Sequence, residues 1–190
     1  FCHDAEAMAN VELWFDPFLQ NAIYLNIRSD VSGSIIINRS FFQDGAYKSG
    51  IFEHMIMVPD GQPCYCGKKG CVNAYCSITS LLRPQEDIQT FFFKLRKGTA
   101  SYEKRWNKYL NYLAVAIDNF HMIINSNVIL AGTLAKYLAD DDIELLHLII
   151  QNKSAFPTAE KYISISNYSN LPACMGAALP LVQDYLDSIM

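Results

Sequence analysis

The sequence predicts an α/β fold in which helices pack on one mixed β-sheet. Two observations support this prediction. Two short segments near the start of the chain have strand-like patterns and predict a β-hairpin. Beyond them, apolar strand-like segments alternate with amphipathic helices, the order typical of a sheet covered by helices. With 190 residues, 51% of them hydrophobic and 18% charged, the chain is long and apolar enough to bury the core of one domain.

The first third of the chain is predicted to contain one helix and the hairpin. Alanine, methionine and glutamate predict a helix over residues 1–13. Residues 22–29 alternate apolar and polar side chains and predict a strand. Residues 34–38 contain three consecutive isoleucines and predict a second strand after a turn at Ser32 and Gly33.

The remaining elements are predicted mainly from apolar periodicity and from glycine and proline positions. A long amphipathic helix is predicted where apolar residues recur every three or four positions, and its aromatic residues suit either core packing or a partner subunit. Gly98 and Gly132 mark turns, and Pro180 is expected to kink or interrupt the final helix. The predicted helices are 77–82, 87–97, 101–124, 133–151 and 173–188, and the predicted strands are 127–131 and 162–166.

Four candidate metal ligands lie close together in the sequence: His54, Cys64, Cys66 and Cys71. Three thiolates and one imidazole form a complete tetrahedral set for zinc, and nearby glycines allow the loop to fold tightly. Because four protein ligands leave no open position for water, the predicted zinc ion is structural. The alternative is that these cysteines are simply buried or linked by disulfides, although residues as close as Cys64 and Cys66 seldom bridge each other.

Charge and cysteine usage narrow the expected location and partners of this segment. A net charge of −4 argues against direct binding to nucleic acid, which requires a basic face. No apolar run approaches the roughly 20 residues needed to span a bilayer, and no segment resembles a signal peptide. Because three of the six cysteines belong to the predicted metal site, a reducing cytoplasm is the expected compartment, without membrane association.

The metal loop also resembles a known family. Residues 53–75 contain Glu-His-Met, Val-Pro-Asp-Gly, Cys-Tyr-Cys-Gly and Gly-Cys-Val-Asn-Ala-Tyr in that order. This series resembles the Gly-His-Met, Cys-x-Cys-Gly and Gly-Cys-Leu-Glu-x-Tyr signature of the ROK family, which contains transcriptional repressors and sugar kinases. The resemblance implies a ribonuclease H-like, actin-like fold of the sugar-kinase type, with a zinc loop inserted at about residues 51–76.

The same resemblance defines the expected domain organisation. Residues 1–9 are similar to the Asn-Asp-Ala-Asn segment, which lies near the middle of family members. Residues 1–190 are therefore expected to form a single C-terminal domain, and the N-terminal half of the family is expected to lie outside this chain.

The resemblance implies a set of catalytic and sugar-binding positions, some of which are altered here. Asp4 stands at the position of the catalytic base that deprotonates the sugar hydroxyl, although a lone aspartate in a helix is more often simply solvated. Sugar contacts are implied for Asp4, His54 and Asn73. Two family glutamates are replaced, by Ile51 and by Asn73. Asn73 can still form hydrogen bonds with a sugar, whereas Ile51 cannot.

The phosphate-binding positions of the family are altered more severely. Its glycine-rich loop aligns with residues 28–34, where Ser29 and Gly33 are the remnant and Asp30 places a negative charge. A second, nucleotide-side loop retains Gly132, which close packing of helix against sheet explains equally well. These changes argue against ATP as a cofactor, because phosphoryl transfer depends on positioning and electrostatics.

These observations predict a non-catalytic, sugar-sensing and oligomerisation domain of a ROK-type transcriptional regulator. It would act as a homodimer or larger homo-oligomer, respond to a carbohydrate effector and contact DNA only through a helix-turn-helix outside this chain. The first alternative is a divergent ATP-dependent carbohydrate kinase with Asp4 as general base. The second alternative is an interaction module that binds no small ligand.

Overall fold

The computed structural model describes residues 3–42, 51–171 and 173–189, and within them helices enclose a five-stranded sheet. The strands are β1 (Ala22–Ile27), β2 (Val31–Ile37), β3 (Ser40–Phe41), β4 (Asn127–Ala131) and β5 (Ile163–Ile165). The helices are α1 (Asp4–Phe15), α2 (Asn73–Cys76), α3 (Ile78–Leu81), α4 (Ile88–Arg96), α5 (Ala100–Ile123), α6 (Asp140–Lys153) and α7 (Ala173–Ile189). Two 3-10 helices span Phe52–His54 and Leu134–Tyr137.

The sheet is mixed, as the sequence predicts, with the strand order β3-β2-β1-β4-β5. Strand β1 pairs antiparallel with β2 and parallel with β4, and β5 continues the parallel side. Every residue of β1 is buried because this strand lies in the middle of the sheet with helices on both faces.

The two faces of the sheet bury different hydrophobic clusters. Ile23, Leu25 and Ile27 of β1 belong to the larger cluster, which includes the apolar face of α5. Ala22 and Tyr24 point to the opposite face and pack against α1. This alternation along one strand produces a helix–sheet–helix sandwich, and α7 lies outermost across α1.

The structure corrects four sequence-based boundaries. The first predicted helix begins at Asp4 and runs to Phe15, while residues 1–2 lie outside the described residues. The hairpin turn lies at residues 28–30, so the predicted turn residues Ser32 and Gly33 belong to β2. The predicted helix over residues 133–151 is two elements separated by extended backbone at residues 138–139. Helix α7 continues through Pro180 without interruption.

None of the helices within the described parts of the chain is long and apolar enough to span a bilayer.

Candidate metal centre and the adjoining cleft

The loop between β3 and α2 brings the four predicted ligands together. The candidate donor atoms of His54, Cys64, Cys66 and Cys71 all lie within 4.8 Å of one another. His54 Nδ1 is 3.7 Å from Cys64 Sγ, and Cys66 Sγ is 3.7 Å from Cys71 Sγ. Two thiolates at about 2.3 Å from one tetrahedral zinc ion would be about 3.8 Å apart. The spacing of the donors therefore fits a zinc ion and excludes a Cys66–Cys71 disulfide.

Backbone geometry explains why this loop can converge on one point. Gly67 and Gly70 adopt positive φ values of 84° and 81°, which side chains disfavour. A Cβ atom on Gly70 would lie 1.8 Å from the carbonyl oxygen of Val58. The Gly70 N–H instead donates to the Gln62 carbonyl oxygen over 2.8 Å, and this close approach holds the two sides of the loop together.

The thiols of the loop differ in their electrostatic surroundings. Hydrogen bonding from the Lys68 backbone lowers the pKa of Cys66. Burial, followed by the neighbouring thiols, raises the pKa of Cys71 to about 12. Because zinc binds thiolates, loading the site requires release of the Cys71 proton.

Asp4, the predicted base, lies at the N-terminus of α1 in a small cluster of polar side chains. Its Oδ1 accepts a hydrogen bond of 2.8 Å from the Ala5 N–H. Its two carboxylate oxygens lie 3.9 Å from His3 Nδ1 and 3.9 Å from a guanidinium nitrogen of Arg28. The Asp4 side chain is 47% exposed, so these contacts hold it loosely at the protein surface.

Glu53 joins this cluster although sequence reasoning did not select it. Burial raises the pKa of its carboxyl, while His54 and His3 oppose that shift and Asp4 adds to it. The Glu53 side chain thus lies within electrostatic range of both the predicted base and the metal loop. Its position next to His54 in the sequence was the available signal.

Asn73 has a role in the backbone structure of the site. Its Oδ1 accepts a hydrogen bond of 2.7 Å from the Val31 N–H, and its side chain is buried. This bond joins the β1–β2 turn to the start of α2. Asn73 also lines a cavity of about 670 Å³, which the turn, the metal loop, α2, α3 and α5 enclose.

The three positions predicted as remnants of a phosphate loop, Ser29, Gly33 and Gly132, make close contacts within the protein. A Cβ on Gly33 would lie 2.5 Å from Phe52 Cδ2, so the ring of Phe52 fills that space. Gly132 has a φ of 83°, and a Cβ there would lie 2.5 Å from Asn26 Oδ1. The Ser29 carbonyl oxygen accepts a hydrogen bond of 2.6 Å from Thr79 Oγ1.

The fold and the loop together define an α/β domain with a four-ligand metal-type insertion. A sequence profile described as the ROK family matches residues 1–183, and the chain belongs to that family. This confirms the resemblance seen in the metal loop. Both kinases and repressors occur among its relatives, so family membership alone does not separate the two activities.

Two relatives illustrate this range. N-acetylmannosamine kinase of Haemophilus influenzae is 26% identical over 157 residues, which cover 73% of this chain and 52% of the kinase. The xylose repressor of Bacillus subtilis is 26% identical over 184 residues, which cover 89% of this chain and 46% of the repressor. The chain therefore spans about half the length of these relatives.

A solved structure confirms the fold. The ROK family glucokinase from Streptomyces griseus, solved in complex with glucose and AMPPNP, matches with a TM-score of 0.85 at 16% sequence identity. The match covers 94% of this chain and 66% of the glucokinase. The mixed sheet with its flanking helices is thus the actin-like fold of the ROK sugar kinases.

Proposed function

We propose that this chain is the sugar-sensing and oligomerisation half of a ROK-type transcriptional regulator, with a structural zinc ion and no phosphotransferase activity. The main support for this proposal is the state of the β1–β2 turn. A nucleotide phosphate bound there would need free backbone N–H groups and open space. In this chain two of the N–H groups at that turn and the space above Gly33 are already taken.

Three contacts close the turn. The Val31 N–H donates to Asn73 Oδ1, and the Arg28 N–H donates to the Asp30 carbonyl oxygen over 2.8 Å. Phe52 fills the space above Gly33. The Asp30 carboxylate adds a negative charge beside the place where phosphate oxygens would lie, so binding of a triphosphate is opposed both sterically and electrostatically.

The residues around Asp4 and His54, in contrast, are suited to binding a sugar. Asp4 and His54, both within electrostatic range of Glu53, offer a carboxylate and an imidazole that can hydrogen-bond to hydroxyl groups. Zinc would hold His54 and fix the loop around it, and such a closed site supplies positioning without reacting with substrate. In the proposed regulator, sugar binding shifts the equilibrium between two states of a homo-oligomer, and DNA is contacted by a part of the protein outside this chain.

The test uses the full-length, zinc-loaded protein. Transfer of phosphate from ATP would be measured with N-acetylmannosamine, N-acetylglucosamine, xylose and glucose, in parallel with binding to DNA from upstream of its own reading frame. The expected result is a sugar-dependent change in DNA affinity without phosphate transfer. Sugar-dependent phosphate release by the wild-type protein would contradict the proposal.

A second candidate function, a divergent carbohydrate kinase, is favoured by the position of Asp4 at the N-terminus of α1 beside the cluster of polar groups. It predicts that Asp4→Asn abolishes phosphate transfer without lowering the melting temperature. If the full-length protein neither transfers phosphate nor binds any of these sugars, the remaining function is that of an interaction module.

A further inference from the structure

A cavity of about 670 Å³ lies between the metal loop and α5. Asp4 and His54, the two groups proposed to bind a sugar, do not line it. Asn73 does line it, but the Oδ1 atom of Asn73 is already bonded to the Val31 N–H. Four tyrosines and two basic side chains are among the lining residues. A recess of this volume, with aromatic walls and a few charged groups, has the character of a small-molecule site.

Helix α5 supplies one wall of this cavity through residues on a single face. Arg105, Lys108 and Tyr112 line the cavity and follow one another at intervals of three and four positions, which place them on the same side of a helix. The Lys108 ammonium lies 6.0 Å from the centroid of the Tyr112 ring. This wall therefore presents a cation next to an aromatic surface.

The two basic groups of this wall differ in how far their charge is compensated. The Arg105 guanidinium donates to both carboxylate oxygens of Glu86, over 2.7 and 2.9 Å. For Lys108, in contrast, no acidic side chain in the described parts of the chain lies within ion-pair distance. Lys108 is therefore the cation of this wall that is available to an incoming anion.

Two tyrosine rings provide an apolar surface beside this cation. The rings of Tyr75 and Tyr112 both line the cavity, with their centroids 4.5 Å apart and their planes tilted by 48°. The Tyr75 hydroxyl already accepts a hydrogen bond of 2.7 Å from the Gln62 N–H, and the Tyr109 hydroxyl donates to the Cys76 carbonyl oxygen. Because these hydroxyl groups are engaged within the protein, the tyrosines offer mainly ring surface, which suits a flat aromatic ligand.

We propose that this cavity binds a small aromatic carboxylate. The carboxylate of the ligand pairs with the Lys108 ammonium, and its ring packs against Tyr75 and Tyr112. The Asp30 carboxylate lines the cavity from the β1–β2 turn and favours a ligand with a single negative charge, since further anionic groups would be repelled. The site does not depend on the proposed sugar-sensing function, because the groups that hold the carboxylate and the ring are not those proposed to contact a sugar.

The experiment measures the binding of benzoate and 3-phenylpropionate to the full-length, zinc-loaded protein by ligand-detected NMR titration. Benzyl alcohol is the neutral probe with the same ring, and phenyl phosphate is the probe with a higher negative charge. The carboxylates are expected to bind with dissociation constants of about 1 mM or below. They should bind at least about fivefold more tightly than either of the other two probes.

Variants of α5 separate the charge from the ring. Lys108→Gln should weaken benzoate binding by about fivefold to tenfold and leave benzyl alcohol binding unchanged, because it removes the charge alone. Lys104→Gln makes the same charge change one turn earlier, at an exposed position that does not line the cavity, and should bind benzoate within about twofold of the wild type. Tyr112→Ala should weaken both benzoate and benzyl alcohol by about threefold or more, whereas Tyr112→Phe should bind both normally.

Four results would overturn the proposal. The first is equal benzoate binding by Lys108→Gln and the wild type, and the second is an equal loss of benzoate binding in Lys104→Gln and Lys108→Gln. The third is binding of benzyl alcohol or phenyl phosphate as tightly as benzoate. The fourth is the absence of carboxylate binding at concentrations up to about 10 mM.

Sugar binding measured on the same samples separates this inference from the proposed function. A wild type that binds a sugar but no carboxylate contradicts the aromatic carboxylate site alone. A wild type that binds benzoate in a Lys108-dependent way but binds no sugar supports the carboxylate site and contradicts the sugar-sensing function.

Discussion

Side chains around the β1–β2 turn show how single residues set the chemistry of a site. Asn73 uses its carbonyl oxygen to accept the Val31 N–H, and Phe52 uses its ring to cover Gly33. Together they occupy the Val31 N–H and the space above Gly33, both of which a phosphate at this turn would need. The metal loop beside this turn nevertheless keeps all four candidate metal ligands.

At Cys71, serine substitution tests the metal site. Cys71→Ser replaces a buried thiolate ligand with a weak oxygen donor, so the protein should lose most of its bound zinc and melt about 5 °C lower or more. Zinc content by mass spectrometry and a thermal melt measure both effects. Cys174→Ser changes an exposed cysteine outside the metal loop and serves as the matched control. Unchanged metal content and melting temperature in Cys71→Ser would refute the structural zinc site.

The buried side chain of Glu12 gives a prediction about how the stability of the protein depends on pH. Its carboxyl is only 6% exposed and accepts a hydrogen bond from Ser166 Oγ, and burial raises its pKa above the ordinary value of 4.5. Because folding favours the protonated form, the associated stability is present below pH 4.5 and is lost as the pH rises through the pKa of the folded protein.

Glu12→Gln removes this titration. The free energy of unfolding of the variant, relative to wild type, should therefore rise between about pH 4.5 and about pH 7.5. Urea unfolding at both pH values measures the difference. Glu160→Gln, at an exposed position, should follow the wild type throughout. A Glu12→Gln difference that stays constant with pH would show that Glu12 titrates normally.

Secondary-structure elements were predictable where the pattern was local. Helix α5 was expected over residues 101–124 and spans Ala100–Ile123, because its apolar stripe repeats over many turns. The break before α6 was missed because it depends on tertiary contacts. There Asp142 accepts hydrogen bonds from the Ala139 N–H and from Trp106 Nε1 of α5, which fixes the start of α6.

The residues of the candidate site also fall into two groups, those that a local sequence pattern predicts and those that only tertiary packing defines. Its metal ligands lie in one loop with metal-type spacing, so the sequence alone was enough to select His54 and the three cysteines. The Glu53 oxygen that is buried without a partner among the described residues and the backbone contact of Asn73 could not be predicted. Both depend on how the 3-10 helix and the β1–β2 turn pack together, which no local pattern encodes.

The close crossing of helices α1 and α7 predicts that an added side chain at their contact destabilises the protein. A Cβ on Gly176 would lie 1.6 Å from the carbonyl oxygen of Ala7, so Gly176→Ala must push the two helices apart. The free energy of unfolding should fall by about 2 kcal/mol or more, measured by urea denaturation. Ala178→Val adds atoms at an exposed position of the same helix and should cost less than about 1 kcal/mol. Equal effects of the two substitutions would show that the close crossing is unimportant.

The molecule as a whole combines a well-buried sheet with a loop that has little regular structure. Strands β1 and β4 lie between two hydrophobic clusters, which bury both faces of the sheet. The regular structure of the metal loop consists of the short 3-10 helix at Phe52–His54 and the isolated bridges Ile56–Cys71 and Pro63–Lys69. We therefore expect the order of this loop to depend on the proposed zinc ion to a much greater degree than the order of the sheet does.

Removal of the metal from the full-length protein is expected to unfold the loop and leave the sheet intact. After treatment with a zinc chelator, amide hydrogen exchange should accelerate in residues 54–71, while β1 and β4 remain protected. Sugar affinity should fall at the same time, because His54, a predicted sugar contact, loses its fixed position. Added Zn²⁺ should restore both properties, and Mg²⁺ should not, since it prefers oxygen ligands to thiolates. Faster exchange throughout the sheet would instead show that the metal supports the whole domain, and unchanged exchange in the loop would show that the loop is ordered without metal.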